Sequence, residues 1–110
     1  MEQMKITNLT DEQISFQLIL HSGNARSCII QSLRAYKEGK KDEADALIAK
    51  AEQDLSAAHD IHFQMIQKES GGEATAFSLL LMHAEDHLMS TLSMKELVKE
   101  MLDLFKTKNI

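Results

Sequence analysis

Phe77-Ser78-Leu79-Leu80-Leu81-Met82-His83-Ala84-Glu85-Asp86-His87-Leu88-Met89 is the stretch on which the reading of this chain turns. Four ionisable side chains, His83, Glu85, Asp86 and His87, fall within five positions of an otherwise apolar run. Apolar residues on both sides predict a helix that buries most of the segment. Burying charge is costly unless the groups are paired, hydrogen-bonded or bound to a metal. Such a run points to use rather than to packing alone. His83 and His87 are four apart and share one helix face. Asp86 falls in a stripe with Leu79, Met82 and Met89, like a polar residue at a core position of a coiled coil. Two readings follow: an imidazole available for chemistry, and a carboxylate buried at a helix interface.

Working outward, 110 residues suit one domain spanning 1–110. Apolar residues make up 44% of the chain, enough for a core. The unbroken apolar run Leu79 to Met82 is much too short to span a bilayer, so no direct membrane insertion is expected. The opening Met1-Glu2-Gln3-Met4-Lys5 lacks the basic-then-apolar pattern of a signal peptide. Cys28 is the one cysteine, so no internal disulfide forms. Both facts point to a cytoplasmic location. A net charge of −5 argues against nucleic acid as the main partner, because phosphate binding needs a basic field.

The chain has no proline and is rich in Met, Leu, Ala, Glu, Gln and Lys, a helix-forming composition. Met1 to Leu9 are weakly patterned and are expected to fray. Thr10-Asp11-Glu12-Gln13 reads as a capping box opening a first helix, about 11–38, which Gly39 stops. Its apolar face takes Ile14, Leu18, Ala25, Ile29, Leu33 and Tyr36. Gly23 and Asn24 weaken that helix, which suits either close packing on a neighbour or a polar notch beside the reactive histidine. Asp42 is placed as the cap of a second helix, about 42–69. Its core face runs through Ala44, Leu47, Ile48, Ala51, Leu55, Ala58, Ile61, Met65 and Ile66. Ser70-Gly71-Gly72-Glu73 is a loop. Thr75 or Ala76 opens the third helix, about 76–106, whose core face continues through Met94, Leu97, Val98, Met101, Leu102 and Phe105. Lys106 and Lys108 then lie near its negative end. Three long helices with two short connections predict an all-α, antiparallel up-down-up bundle. The third helix is apolar around much of its circumference, which implies a further surface buried by self-association.

Several chemistries compete for the central stretch. Zinc-hydrolase patterns need Glu directly after the first histidine or before the second, where this chain has Ala84 and Asp86. Two histidines at i, i+4 still suit zinc if His59, His62 or His21 approaches in the fold. His59 and His62 read otherwise as surface histidines or as support for His83. Cys28 reads as a small core residue, Lys37 to Lys41 as a solvated turn, and the seven methionines as core filler. His83 as a nucleophile remains: a neutral imidazole attacks phosphorus and forms a phosphohistidine that a second acceptor later empties.

The chain resembles the IIA component of the lactose/cellobiose (also chitobiose) class of the bacterial phosphoenolpyruvate-dependent sugar phosphotransferase system, over about residues 13 to 105. The resemblance rests on Gly23-Asn24-Ala25-Arg26-Ser27, Glu43-Ala44-Asp45, Ala58-His59 and the run Gln64 to Gly72. Above all it rests on His83-Ala84-Glu85-Asp86-His87-Leu88-Met89, which is similar to the family's His-Ala/Gly-Gln-Asp-His-Leu-Met. It implies a homotrimer of three-helix bundles. It implies that His83 takes a phosphoryl group from the histidine of HPr and passes it to a cysteine of the cognate IIB protein, which serves sugar entry through the membrane IIC protein. It further implies that the Asp86 side chains of three copies surround one divalent cation per trimer, magnesium, and that His87 supports the site. Three carboxylates in a dry interface repel, and a hard cation with oxygen ligands relieves this.

One position departs from the family pattern: Glu85 stands where Gln is usual. Gln donates a hydrogen bond, whereas ionised Glu only accepts and repels a phosphoryl group of roughly −2 charge. Glu85 is thus either a neighbour of the phosphoryl group or turned away from it. The competing reading of the whole chain is a non-enzymatic bundle that binds a metal or a partner through its third helix.

Overall fold

The computed structural model describes residues 4–110. Three α-helices follow one another: α1 (Asp11–Lys37), α2 (Lys41–Ser70) and α3 (Leu79–Thr107), after a short 3₁₀ turn at Ile6–Asn8. Contacts along the chain give the directions. Ser32 Oγ donates to the Ala44 carbonyl at 2.8 Å, and His21 meets Asp54, so α1 and α2 run antiparallel. Lys106 meets Asp45, Lys99 meets Glu52 and His62 meets Glu85, so α3 runs antiparallel to α2. The result is the expected up-down-up bundle, 52 × 24 × 21 Å.

Local chemistry explains each helix end. Thr10 Oγ1 accepts from the Gln13 N–H and Gln13 Oε1 accepts from the Thr10 N–H, which completes the expected capping box. After α1, Lys40 N–H donates to Ala35 O and Gly39 N–H to Tyr36 O, a Schellman closure. Gly39 there adopts φ +83°, a conformation that costs other residues strain. Gly72 closes α2 in the same way, through Glu73 N–H to Lys68 O.

Four local expectations need correction. Lys40 occupies the N-cap of α2 without a side-chain bond, and Asp42 lies inside the first turn, where it meets the positive end of the helix dipole. Ser78, not Thr75 or Ala76, caps α3: its hydroxyl accepts from the Leu81 N–H at 3.0 Å, and residues 73–78 are loop. Ile6 is buried and its N–H donates to Gln64 Oε1, so this part of the N-terminal stretch is tied to α2 rather than frayed. Residues 1–3 of that stretch lie outside the described residues. Gly23 is exposed and a Cβ there would meet open space, which removes the close-packing reading.

The core lies between the three helices. Leu18, Ile29, Ile61 and Leu88 are almost fully buried. Ala25, Ala44, Ala51, Ala58 and Ala84 are wholly buried between them, and their small side chains let the helices approach closely. Cys28 is buried, as expected of a small core residue. Ile66 and Leu97, placed on core faces by periodicity, are instead exposed.

The expected burial of the central stretch is also corrected. Ala84 and Leu88 are buried, but Phe77 and Leu79 are 79% and 76% exposed, and Met82 and Met89 about half. With Leu97 and Leu104 they leave an apolar stripe along the outer side of α3. The helix is long enough to bury one face against α1 and α2 and has a second apolar face left over.

Candidate functional site

The site residues hang on one rigid element. Ser78 fixes the start of α3, and Ala84 and Leu88 anchor its inner face in the core. At 100° per residue, His83, Asp86 and His87 then project away from that core. His83 is exposed and His87 half-buried. Their Nε2 atoms are 3.1 Å apart, and the rings meet edge to face with centroids at 4.5 Å. One ring donates and the other accepts, so each fixes the tautomer of the other.

Asp86 is exposed on the apolar stripe, between Met82 and Met89. Its backbone carbonyl accepts from Ser90 Oγ at 2.6 Å, and its Oδ1 lies 3.5 Å from the same hydroxyl. Ser90 had no place in the sequence reading. Its spacing, four after Asp86, was the available signal.

Glu85 follows His83 by two residues, roughly 200° around the helix. It leans toward α2, where its Oε1 lies 3.5 Å from His62 Nε2. It also lines a crevice of about 260 Å³ with Met65, Ile66, Phe77, Leu81 and Met82. Within one chain, Glu85 and the His83–His87 pair therefore occupy opposite flanks of α3. His62 thus joins the neighbourhood through Glu85, while His59 is exposed on the surface of α2. The two do not act as a pair.

His21 Nδ1 sits 3.2 Å from Asp54 Oδ1 across α1 and α2. Among the described residues, no three His, Cys, Asp or Glu side chains gather as a metal ion would require. His21, His59 and His62 thus do not complete the three-ligand zinc set that the hydrolase reading needed. In a single chain Asp86 presents an outward carboxylate in the apolar stripe, between Met82 and Met89. Among the described residues, no helix is long and apolar enough to cross a membrane.

Chemically, the arrangement presents an accessible imidazole, oriented by a second one, on a helix that cannot shift without breaking the core. Comparison with known proteins identifies the family. A lichenan-specific phosphotransferase enzyme IIA component of Bacillus subtilis is 42% identical over 95 residues, covering 86% of each chain. A lactose-specific EIIA component of the PTS system of Streptococcus mutans is 34% identical over 93 residues, covering 84% of this chain and 89% of that one. The crystal structure of the PTS cellobiose-specific enzyme IIA from Bacillus anthracis is 44% identical and superposes with a TM-score of 0.85, covering 96% of this chain and 97% of that chain. The family model described as PTS system, Lactose/Cellobiose specific IIA subunit, matches residues 13–106, and the chain belongs to that family.

Proposed function

We propose that this chain is a cytoplasmic phosphocarrier that accepts a phosphoryl group from phospho-HPr on His83 and passes it to the cysteine of a cognate IIB protein, for uptake of a disaccharide. The observation that carries this is the exposed His83 ring held at 3.1 Å by His87 on a core-anchored helix. In the first half-reaction a ring nitrogen of His83 attacks phosphorus. Its N–P bond forms as the N–P bond to the donor histidine breaks, and the donor imidazole takes the proton that the His83 ring gives up. In the second half-reaction the IIB thiol gives up its proton and attacks as a thiolate, an S–P bond forms as the N–P bond breaks, and the leaving His83 ring takes up that proton. His87 orients the ring in both halves.

The exposed stripe of Leu79, Met82, Met89, Leu97 and Leu104 supports burial against two further copies as a homotrimer. Asp86 then gathers with its two copies. A carboxylate oxygen set of this kind fits a hard divalent cation such as magnesium, which when bound neutralises the gathered charge. Asp86 is the residue of this chain that would hold it.

The test is incubation with phosphoenolpyruvate, enzyme I and HPr. One phosphate per chain is expected, stable to alkali and labile to acid, and His83→Ala abolishes it. A bundle that only binds a metal or a partner would take up none. Because the chain is acidic, with a net charge of −5, docking to basic partner faces makes transfer slower as salt rises.

A further inference from the structure

The contact between His62 and Glu85 has no counterpart in the reaction described above. It joins α2 to the helix that carries His83, at the site end of the bundle. The two partners differ in freedom. The His62 side chain is 17% exposed and stands on α2 beside the buried Ile61 and one turn from the buried Ala58 and Met65. The Glu85 side chain is 43% exposed, long and flexible. The crevice it lines contains a second carboxylate, Glu69, and no lysine or arginine. Lys68 nearby is engaged with Glu73 at 4.0 Å. His62 is thus the polar partner that draws the Glu85 carboxylate to the α2 flank of α3.

We propose that His62 is a positioning residue for phosphoryl transfer: its imidazole holds the Glu85 carboxylate on the α2 flank of α3, so that an acid stands at position 85 without repelling the phosphoryl group on His83. The proposal rests on the reading of His83 as the phosphoryl-bearing residue. His62 Nε2 lies 3.5 Å from Glu85 Oε1, and this polar contact sets where the negative charge lies. A glutamine at position 85 needs no such partner, because it carries no charge to hold back. The separation around the helix keeps the effect modest. A unit charge brought to within about 8–10 Å of a group of roughly −2 charge, in screened surroundings, changes a rate about threefold.

The experiment is a double-mutant cycle on the full chain: wild type, His62→Ala, Glu85→Gln and the double variant. It reads single-turnover phosphorylation by phospho-HPr and the half-life of the isolated phosphohistidine. His62→Ala is expected to slow uptake about threefold and to shorten the half-life, whereas the same substitution in the Glu85→Gln background changes neither. His62→Gln, which keeps an N–H donor, restores most of the loss. A His62 with a purely structural role would impair transfer equally in both backgrounds, and that result would overturn the proposal. Imidazole ¹⁵N shifts of the unphosphorylated protein give a second readout: those of His62 move on Glu85→Gln, and unchanged shifts would overturn the pairing itself. If the wild type takes up no phosphate, the carrier reading fails and takes this proposal with it. If the wild type is phosphorylated but the cycle shows no coupling, this proposal alone fails.

Discussion

His83 and His87 point their Nε2 atoms at each other across 3.1 Å, one helical turn apart. Two imidazoles in this relation cannot both donate or both accept while neutral, so the protonation of one dictates that of the other. Replacing His87 by Ala frees the His83 ring and removes one hydrogen bond, worth about 1 kcal/mol. Single-turnover phosphorylation of His83 in the His87→Ala variant should then slow by roughly five- to tenfold without being abolished. His87→Gln, which can still donate or accept, should recover part of the rate.

Asp86 is an exposed carboxylate on the apolar stripe of α3, between Met82 and Met89. In the proposed trimer three copies repel until a cation is bound. Sedimentation of the wild type should therefore show lower mass after chelator treatment and recover with magnesium. Asp86→Asn removes the charge, and its mass should no longer respond to chelator. A wild type that stays monomeric under all conditions would sink the metal-centred trimer.

Thr91 is 1% exposed and its hydroxyl has no hydrogen-bond partner in the bundle. Thr91→Val keeps the shape and removes the unpaired group. Stability should rise by about 1 kcal/mol, or about 4 °C in Tm, by thermal unfolding.

Leu88 follows His87 directly and is fully buried. Leu88→Ala leaves a cavity beneath the site and should cost about 3 kcal/mol in urea unfolding. Under conditions where the variant is still folded, His83 should remain phosphorylatable, because its orienting partner is His87 rather than the core side chain.

The Lys106 ammonium is held above the usual lysine range, chiefly by its hydrogen bond to Asp45 at 2.6 Å. A raised folded-state value means the tie contributes below the unfolded lysine pKa and is lost as pH rises through the folded one. The stability difference between wild type and Lys106→Met should be small, constant near neutrality, and should vanish in strongly alkaline solution.

What the sequence determined by itself is what short-range geometry sets. The capping box at Thr10 and Gln13, the stop at Gly39, the loop from Ser70 to Glu73, the three helical periods and the shared face of His83 and His87 all depend on residues within about one or two turns of each other. The family motif rested on the same short range. Tertiary structure decided which flank of each helix has a neighbour. Apolar patterning around Leu79, Met82 and Met89 shows that a face wants burial, but only the placement of α1 and α2 shows that the bundle leaves it uncovered. Periodicity likewise put Ile66 and Leu97 inside, and a bundle of three helices has too little interior to take them. Glu85 turns toward His62, 23 positions earlier in the chain, because α2 happens to pass that flank. Ile6 is likewise pinned by Gln64 across 58 positions. Local spacing carries no information on contacts of that length, since they follow from how the helices pack.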